Sequence, residues 1–510
     1  MIKNLYDIKS PQIVETKNGK LRGFKWRDTY HFLGVPYGHA KRWQAPEPVA
    51  PWKGIKNCME YGNIVPRFSG YKLLDDNFIP RPYHNMDEDC LNINIYTTSV
   101  DPEAKKPVMF YCHGGGFADG SAHAMYSYDG EANAVAGDVV MIFINHRLNI
   151  FGFLDCEKYG EQYKNSGNAG LQDIVLALQW VQENVAAFGG DPDNVTIYGQ
   201  SGGGGKVTAL MQTPAADGLY HKVICQSGVM ERENAAHPDI SFSEALIEAM
   251  MARLGTKDFQ ALADLDSDSL MELASAAEPD IAKYGYSLRN WGPVKNDWYL
   301  GSAYEIGFTE YAKKIPMIIG TVITEFKRSY QMSGKDALSE EEREAVVAKH
   351  LDGKDPAPLI AAWKKVWPDK NVVECLAPQG FRTSALHYAD IRAEQCEAPT
   401  WNYLFSYSFD WDGGNTAWHS SELPFTFHNI DMYPHFNKGE VTDRLQEQLS
   451  RSWTTFGHTS DPNNDSLPEA WRPYTKEDHA TMIFDEKTRI GVDFDKEYLD
   501  AQAGYGFGLM

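Results

Sequence analysis

The chain has 510 residues, 43% hydrophobic and 13% aromatic, which is the composition of an ordinary globular protein and excludes a disordered one. Its 48 basic and 70 acidic residues leave a formal net charge of −22, which argues against nucleic acid and anionic membrane surfaces as partners, since both would repel it. The longest apolar run, Val139–Ile144, is too short to cross a bilayer, and the opening MIKNLYDIKS has no apolar signal region. Residues 10–35 read as hairpin segments with Asn18-Gly19 as the turn. CLNINIYTTS (90–99), KPVMFYCHGG (106–115) and GDVVMIFINHR (137–147) predict short, strongly apolar strands. Asp173–Val185 has helical spacing with apolar residues on more than one face, as expected of a helix packed on a sheet. KVICQSG (222–228) predicts a further strand, and residues 241–280 and 336–370 are Ala-, Leu- and Glu-rich helical stretches. Strands that are apolar along their whole length and alternate with helices imply an α/β protein. Its twisted, mostly parallel sheet is expected to be covered by helices on both faces. With no repeat and no Pro/Ser linker, residues 1–510 read as one domain with cap-like insertions at roughly 230–300 and 330–400. Seven cysteines without a C-x-x-C pair suggest a reduced, cytoplasmic protein with no structural metal.

Two glycine-rich stretches carry chemistry. NVTIYGQSGGGGKV (194–207) runs from a β-branched and aromatic strand into Gly199-Gln200-Ser201-Gly202-Gly203, the strand–turn–helix layout of a nucleophile elbow. The tight turn needs residues without side chains two before and two after the serine, and those are Gly199 and Gly203. The second stretch, His113-Gly114-Gly115-Gly116-Phe117, follows the strand MFYC. Consecutive glycines let backbone N–H groups approach an oxyanion, each donor being worth roughly 2.7–4 kcal/mol. In isolation the same residues read equally well as a plain turn. Both stretches lie at the C-terminal ends of predicted strands, where ligands bind in open α/β sheets.

These residues also carry a resemblance. FLGVPYG (32–38), DEDCLNINIY (87–96), HGGGFADGS (113–121), INHRLNIFGFL (144–154) and the long block GNAGLQDIVLALQWVQENVAAFGGDPDNVTIYGQSGGG (167–204) resemble the type B carboxylesterases, the α/β-hydrolase group that includes the cholinesterases. CQSG (225–228), PMIIGTVITEF (316–326), HSSELPFTF (419–427) and the segment 471–490 extend the match over about residues 10–490. The resemblance implies the α/β-hydrolase fold and hydrolysis of carboxylic esters without metal or organic cofactor. Ser201 matches the family nucleophile, His419 its base and Glu325 its acid, in the chain order Ser…Glu…His. The implied oxyanion donors are the N–H groups of Gly115, Gly116 and Gly202. Arg147 with Asp173, and Arg42 with Glu88, match charge pairs that brace the fold.

Departures from the family pattern set further expectations. Gln200 and Gly202 stand where the family more often has Glu and Ala, and the run Gly202–Gly205 suggests close packing of the following helix or extra room for the acyl group. Phe117, Phe326 and Trp418 are candidate pocket residues, with Trp291 and Trp411 as further aromatics suited to neutral hydrophobic or aromatic esters. Cys90 sits where many secreted relatives form a disulfide, but its partner position is Val65. Two functions stay open: an ester hydrolase acting on small to medium esters through an acyl-enzyme, and a catalytically silent member used for binding or adhesion. Monomer and homodimer are equally compatible with the sequence.

Overall fold

The computed structural model describes residues 12–68, 74–229, 240–326 and 334–506. Its centre is a 13-stranded sheet. In chain order its path is built from β1 (Gln12–Thr16), β2 (Gly19–Trp26), β3 (Thr29–Pro36), β4 (Asn92–Thr97), β5 (Lys106–Cys112) and β6 (Val140–Ile144). There follow β7 (Gly190–Gln200), β8 (Lys222–Gln226), β9 (Met317–Val322), β10 (Thr400–Phe405), β11 (Ala480–Phe484) and β12 (Arg489–Val492). Their spatial order is β1-β2-β3-β4-β6-β5-β7-β8-β9-β10-β11-β12, with Ile55–Asn57 paired alongside β2. From β6 to β11 all neighbours are parallel, whereas β1 to β4 and the final β12 are antiparallel. The parallel strands are buried on both faces, which is why they lack a polar alternation.

The period-2 alternation of side chains divides the core in two. Val108, Phe110 and Cys112 of β5 point into a core shared with helices α1 (Ala169–Asn184) and α2 (Gly202–Leu210). Met109 and Tyr111 point to the other side, against Leu445, Leu449, Trp453 and Phe456. Those four lie on one stripe of the helix Glu440–Thr459. The helix-covered α/β sheet expected from the sequence is therefore present.

Three local expectations are corrected. The first hairpin turns on Lys17 and Asn18, since Thr16 pairs with Gly19 in β2. Gly19 is needed for close approach instead, because a Cβ there would lie 2.6 Å from Trp52 Nε1. Helix α1 begins at Ala169, four residues before its apolar spacing becomes legible. Gly170 obscured the start, being a poor helix former that is retained where a Cβ would meet the Arg147 carbonyl oxygen at 2.5 Å. The helical stretches 241–280 and 336–370 each break up, the first into Phe242–Leu254, Gln260–Ala263 and Ser267–Ile281, the second into Glu340–Lys349 and Ala357–Val366. Residues 230–239 and 327–333, which the cap expectations touch, lie outside the described residues.

Two buried or half-buried ion pairs tie loops to this frame. Arg147 Nη2 donates to Asp173 Oδ1 at 2.7 Å and Nε to Oδ2 at 2.9 Å, joining the segment after β6 to α1. Arg147 Nη1 also donates to the Gln44 carbonyl at 2.8 Å. Arg42 Nε donates to Glu88 Oε2 at 3.0 Å. All seven cysteines are free thiols, Cys90 among them, and no helix of the described residues is long and apolar enough to cross a membrane. Removing one partner of a fully buried pair leaves the other charge uncompensated, which costs about 3–5 kcal/mol. Asp173→Ala is expected to lose that much in denaturant unfolding at unchanged m; a loss below about 1 kcal/mol would contradict the bracing role.

Candidate active site

The sharpest backbone feature lies where β7 ends. Ser201 has φ 59° and ψ −127°, a conformation that is rare for a residue with a side chain and costs of order 1–3 kcal/mol. It is held by its neighbours: Ser201 N donates to the Gln226 carbonyl of β8 at 2.8 Å, and the Ser201 carbonyl accepts from Gly205 N at 3.1 Å. Helix α2 then leaves at once, so close to β5 that a Cβ on Gly203 would lie 2.0 Å from the Cys112 oxygen. Part of the glycine run is thus explained by packing. Gly204 has the same reason, its Cβ position lying 2.2 Å from the Gly228 oxygen.

Beside the elbow runs the loop after β5, in which Gly115 and Gly116 take φ values of 95° and 64°. His113 Nδ1 hydrogen-bonds the Gly114 carbonyl at 2.8 Å, and Asn149 holds the far end, its N donating to the Phe117 carbonyl at 2.8 Å. Two further residues come from distant segments. Glu325 follows β9, and His419 reaches it through a bridge between Thr324 and Trp418 and a bond from His419 N to the Glu325 carbonyl at 2.9 Å. Their side chains meet with His419 Nδ1 2.5 Å from Glu325 Oε2, both buried. The tautomer with its proton on Nδ1 donates to that carboxylate and leaves Nε2 as an acceptor. Gln200 places its amide nitrogen 3.2 Å from Nε2 and accepts from Ser420 Oγ at 3.2 Å.

Burial pulls the His419 pKa down, but the hydrogen bond and charge of Glu325, with Asp76 and Glu422 behind them, outweigh it and leave the imidazole above its ordinary 6.5. A second histidine nine residues on, His428, bonds Ser450 Oγ at 2.9 Å and is pushed below the ordinary value by burial. Glu422 escaped the sequence reading although it stands inside the HSSELP segment. Burial and the charge of Glu325 raise it to about 8. Lys206 escaped too, despite being the single charge in a run of glycines and apolar residues.

Ser201, His419, Gly115, Gly116, Phe117 and Phe326 all line one cavity of about 660 Å³. Gly202 is not in the lining but abuts the glycine loop, its Cβ position lying 2.4 Å from Gly116 N. Phe326 covers the His419 ring at 4.3 Å between centroids, and Trp291 stacks with Phe68, both in the cavity lining. Ser275, Glu278, Leu288 and Arg289 line it too, all from the stretch after Ser267. Trp418, expected in the pocket, packs instead among Phe78, Phe409, Trp411 and Phe436 and donates from Nε1 to the Asp76 carbonyl at 3.0 Å. No lining residue comes from 334–400. Among the described residues no group of three or more His, Cys, Asp or Glu is placed to share a metal ion.

Comparisons with known proteins cover nearly the whole chain. Residues 10–502 match the carboxylesterase family. The chain is 32% identical to para-nitrobenzyl esterase of Bacillus subtilis (strain 168) over 504 residues, covering 95% of this chain and 97% of that one. It is 31% identical to phenmedipham hydrolase of Pseudarthrobacter oxydans over 94% and 97% of the two chains. Among solved structures, an esterase from anaerobic Clostridium hathewayi that can hydrolyze aliphatic aromatic polyesters superposes with a TM-score of 0.91 at 39% identity, covering 98% of this chain and 99% of that one. A thermophilic PNB esterase gives 0.77 at 29% identity, over 97% and 100%. An α/β sheet with a serine elbow at the end of a central strand, matched over nearly its whole length by esterases, places the chain in the carboxylesterase family.

Proposed function

We propose that this carboxylesterase works through Ser201, His419 and Glu325, by way of an acyl-enzyme. The observation that carries the reading is the His419–Glu325 contact, with His419 lining the same cavity as Ser201. Neutral His419 takes the Ser201 proton as the hydroxyl attacks the ester carbonyl, then gives it to the departing alkoxide. Glu325 holds the imidazole in the tautomer that accepts at Nε2 and steadies the imidazolium that forms. In this starting geometry the Gln200 amide occupies Nε2, so it gives way as the serine proton is transferred. The N–H groups of Gly115, Gly116 and Gly202 receive the negative charge on the carbonyl oxygen. Water activated by His419 then releases the acid.

The substrate class we infer is a neutral ester with a hydrophobic or aromatic part. Phe68, Phe117, Trp291 and Phe326 supply flat apolar surface to the cavity. The nitrobenzyl group in one relative's name and the aromatic polyesters of another agree with that inference. In this reading the chain is a single catalytic domain in which the segment from Ser267 to Trp291 roofs the pocket.

Ser201→Ala is expected to lower p-nitrophenyl butyrate hydrolysis by at least about 10³-fold with the melting temperature kept. Retention of a tenth of the activity would remove Ser201 from the mechanism. Because the base must be neutral and its pKa is raised, kcat/KM should fall on the acid side with a midpoint above the ordinary 6.5. Glu325→Gln removes the group that raises it, so that midpoint should move to lower pH while kcat drops about 10³–10⁴-fold; an unmoved limb would separate Glu325 from the base. Gly202 offers a third test. A Cβ there would lie 2.4 Å from Gly116 N and 2.3 Å from Gly116 O. Gly202→Ala must therefore displace the glycine loop, and about a 10²-fold fall in kcat is expected with fluorophosphonate labelling of Ser201 intact. An unchanged kcat would mean the loop's position is immaterial.

A further inference from the structure

Helix α2 carries a lysine that its packing buries completely. Lys206 is fully buried, one turn after Ser201, and among the described residues no carboxylate lies within ion-pair distance of it. Its Nζ donates to the His113 carbonyl at 2.8 Å and lies 5.7 Å from the centroid of the Phe117 ring. Those are the residues on either side of Gly114-Gly115-Gly116. A segment of three glycines has no side chains with which to fix itself, so apart from the bonds that its own carbonyls accept from His113, Ala118 and Asp119, its position depends on what grips its ends. Asn149 grips the Phe117 side, and the lysine grips the His113 side. An unpaired ammonium in such a place is expensive, and a neutral side chain of similar length would fill the same volume.

We propose that Lys206 is the positioning residue of the glycine loop: its ammonium anchors the His113 carbonyl so that the Gly115 and Gly116 N–H groups stay aimed at the reacting oxygen, and its charge favours the negative charge that builds there. The proposal rests on the reading of Ser201 as nucleophile and extends it to a residue that touches neither substrate nor serine. A neutral ester gains little from the buried cation, whereas the tetrahedral oxyanion gains much in a water-poor site. The effect therefore belongs in kcat and leaves KM nearly untouched.

The groups that face the ammonium are Cys112 of β5, the rings of His113 and His146, and Asp119, which itself lies 3.6 Å from Arg67. Both histidines are kept neutral by burial, with Lys206 adding to the effect. Burial brings Lys206 down to about 7 against the opposing pull of Cys112 and Asp119. A lysine with a lowered pKa is charged below that value and loses its charge above it. The neutral amine can still donate to His113, so kcat/KM should decline to a lower plateau on the alkaline side rather than vanish.

The test compares wild type with Lys206→Met, which keeps the length without charge or donor, and Lys206→Arg, which keeps both. Fluorophosphonate titration of each sample normalises rates to intact sites. Lys206→Met is expected to lose about 10-fold or more in kcat with KM within about 3-fold, and to lose the alkaline decline, while Lys206→Arg recovers most of the rate. If Lys206→Met does not fold, the wild type alone decides. The affinity of an aryl trifluoromethyl ketone, which forms an oxyanionic adduct with the serine, should weaken as pH rises through about 7. A folded Lys206→Met with unchanged kcat and the same alkaline limb overturns the proposal, as does a wild-type ketone affinity that stays flat from about pH 6.5 to 9. A wild type that takes up no fluorophosphonate counts against the Ser201 reading instead, which separates the two failures.

Discussion

A serine held with its backbone at φ 59° is the constraint from which the rest of this structure follows. A free chain would relax such a residue. Here the Gln226 carbonyl holds its N–H from β8, and the Cys112 carbonyl of β5 presses against the glycine two residues on. Both contacts require β5, β7 and β8 to be parallel neighbours, with their C-terminal ends level. The register that pairs Gly199 with Cys112 on one side and Cys225 on the other meets that requirement. A sheet buried on both faces supplies the stiffness, and small residues at the crossing let three backbones converge.

Electrostatics then sort chemically similar groups into different tasks. Glu325 and Glu422 lie close enough to repel, and burial tips the balance so that Glu422 keeps its proton. Lys206 sits against the glycine loop with no anionic partner within ion-pair distance among the described residues, in a chain whose overall charge is −22. Summed charge told nothing about this local field, since the decisive groups are buried and individually placed.

How much of this was legible in the sequence depended on how local each cause is. The elbow could be read from residues 194–207 because strand, glycines and helix are contiguous. The parallel strands could be read because burial on both faces leaves an unbroken apolar run. His419 and Glu325, 94 residues apart, were identified only through family resemblance, since nothing in their own surroundings distinguishes them from other histidines and acids. Gly19 misled because glycine marks a turn and a close approach with the same letter. Trp418 misled because adjacency to a site residue along the chain says little about direction: the backbone bridges Thr324, and the indole turns into an aromatic cluster. Lys206 went unread because its contact with the His113 carbonyl exists only in the fold.

One part of the cavity wall has a simple genealogy. It is drawn from one continuous piece of chain, Ser275 to Trp291, together with Phe68, and none of these residues belongs to the elbow or to the strands that strain it. Floor and ceiling are therefore separable under mutation. Lengthening, shortening or recolouring the ceiling changes which molecules fit, while the reactive floor is inherited intact. A protein built this way can acquire a new diet without relearning its chemistry.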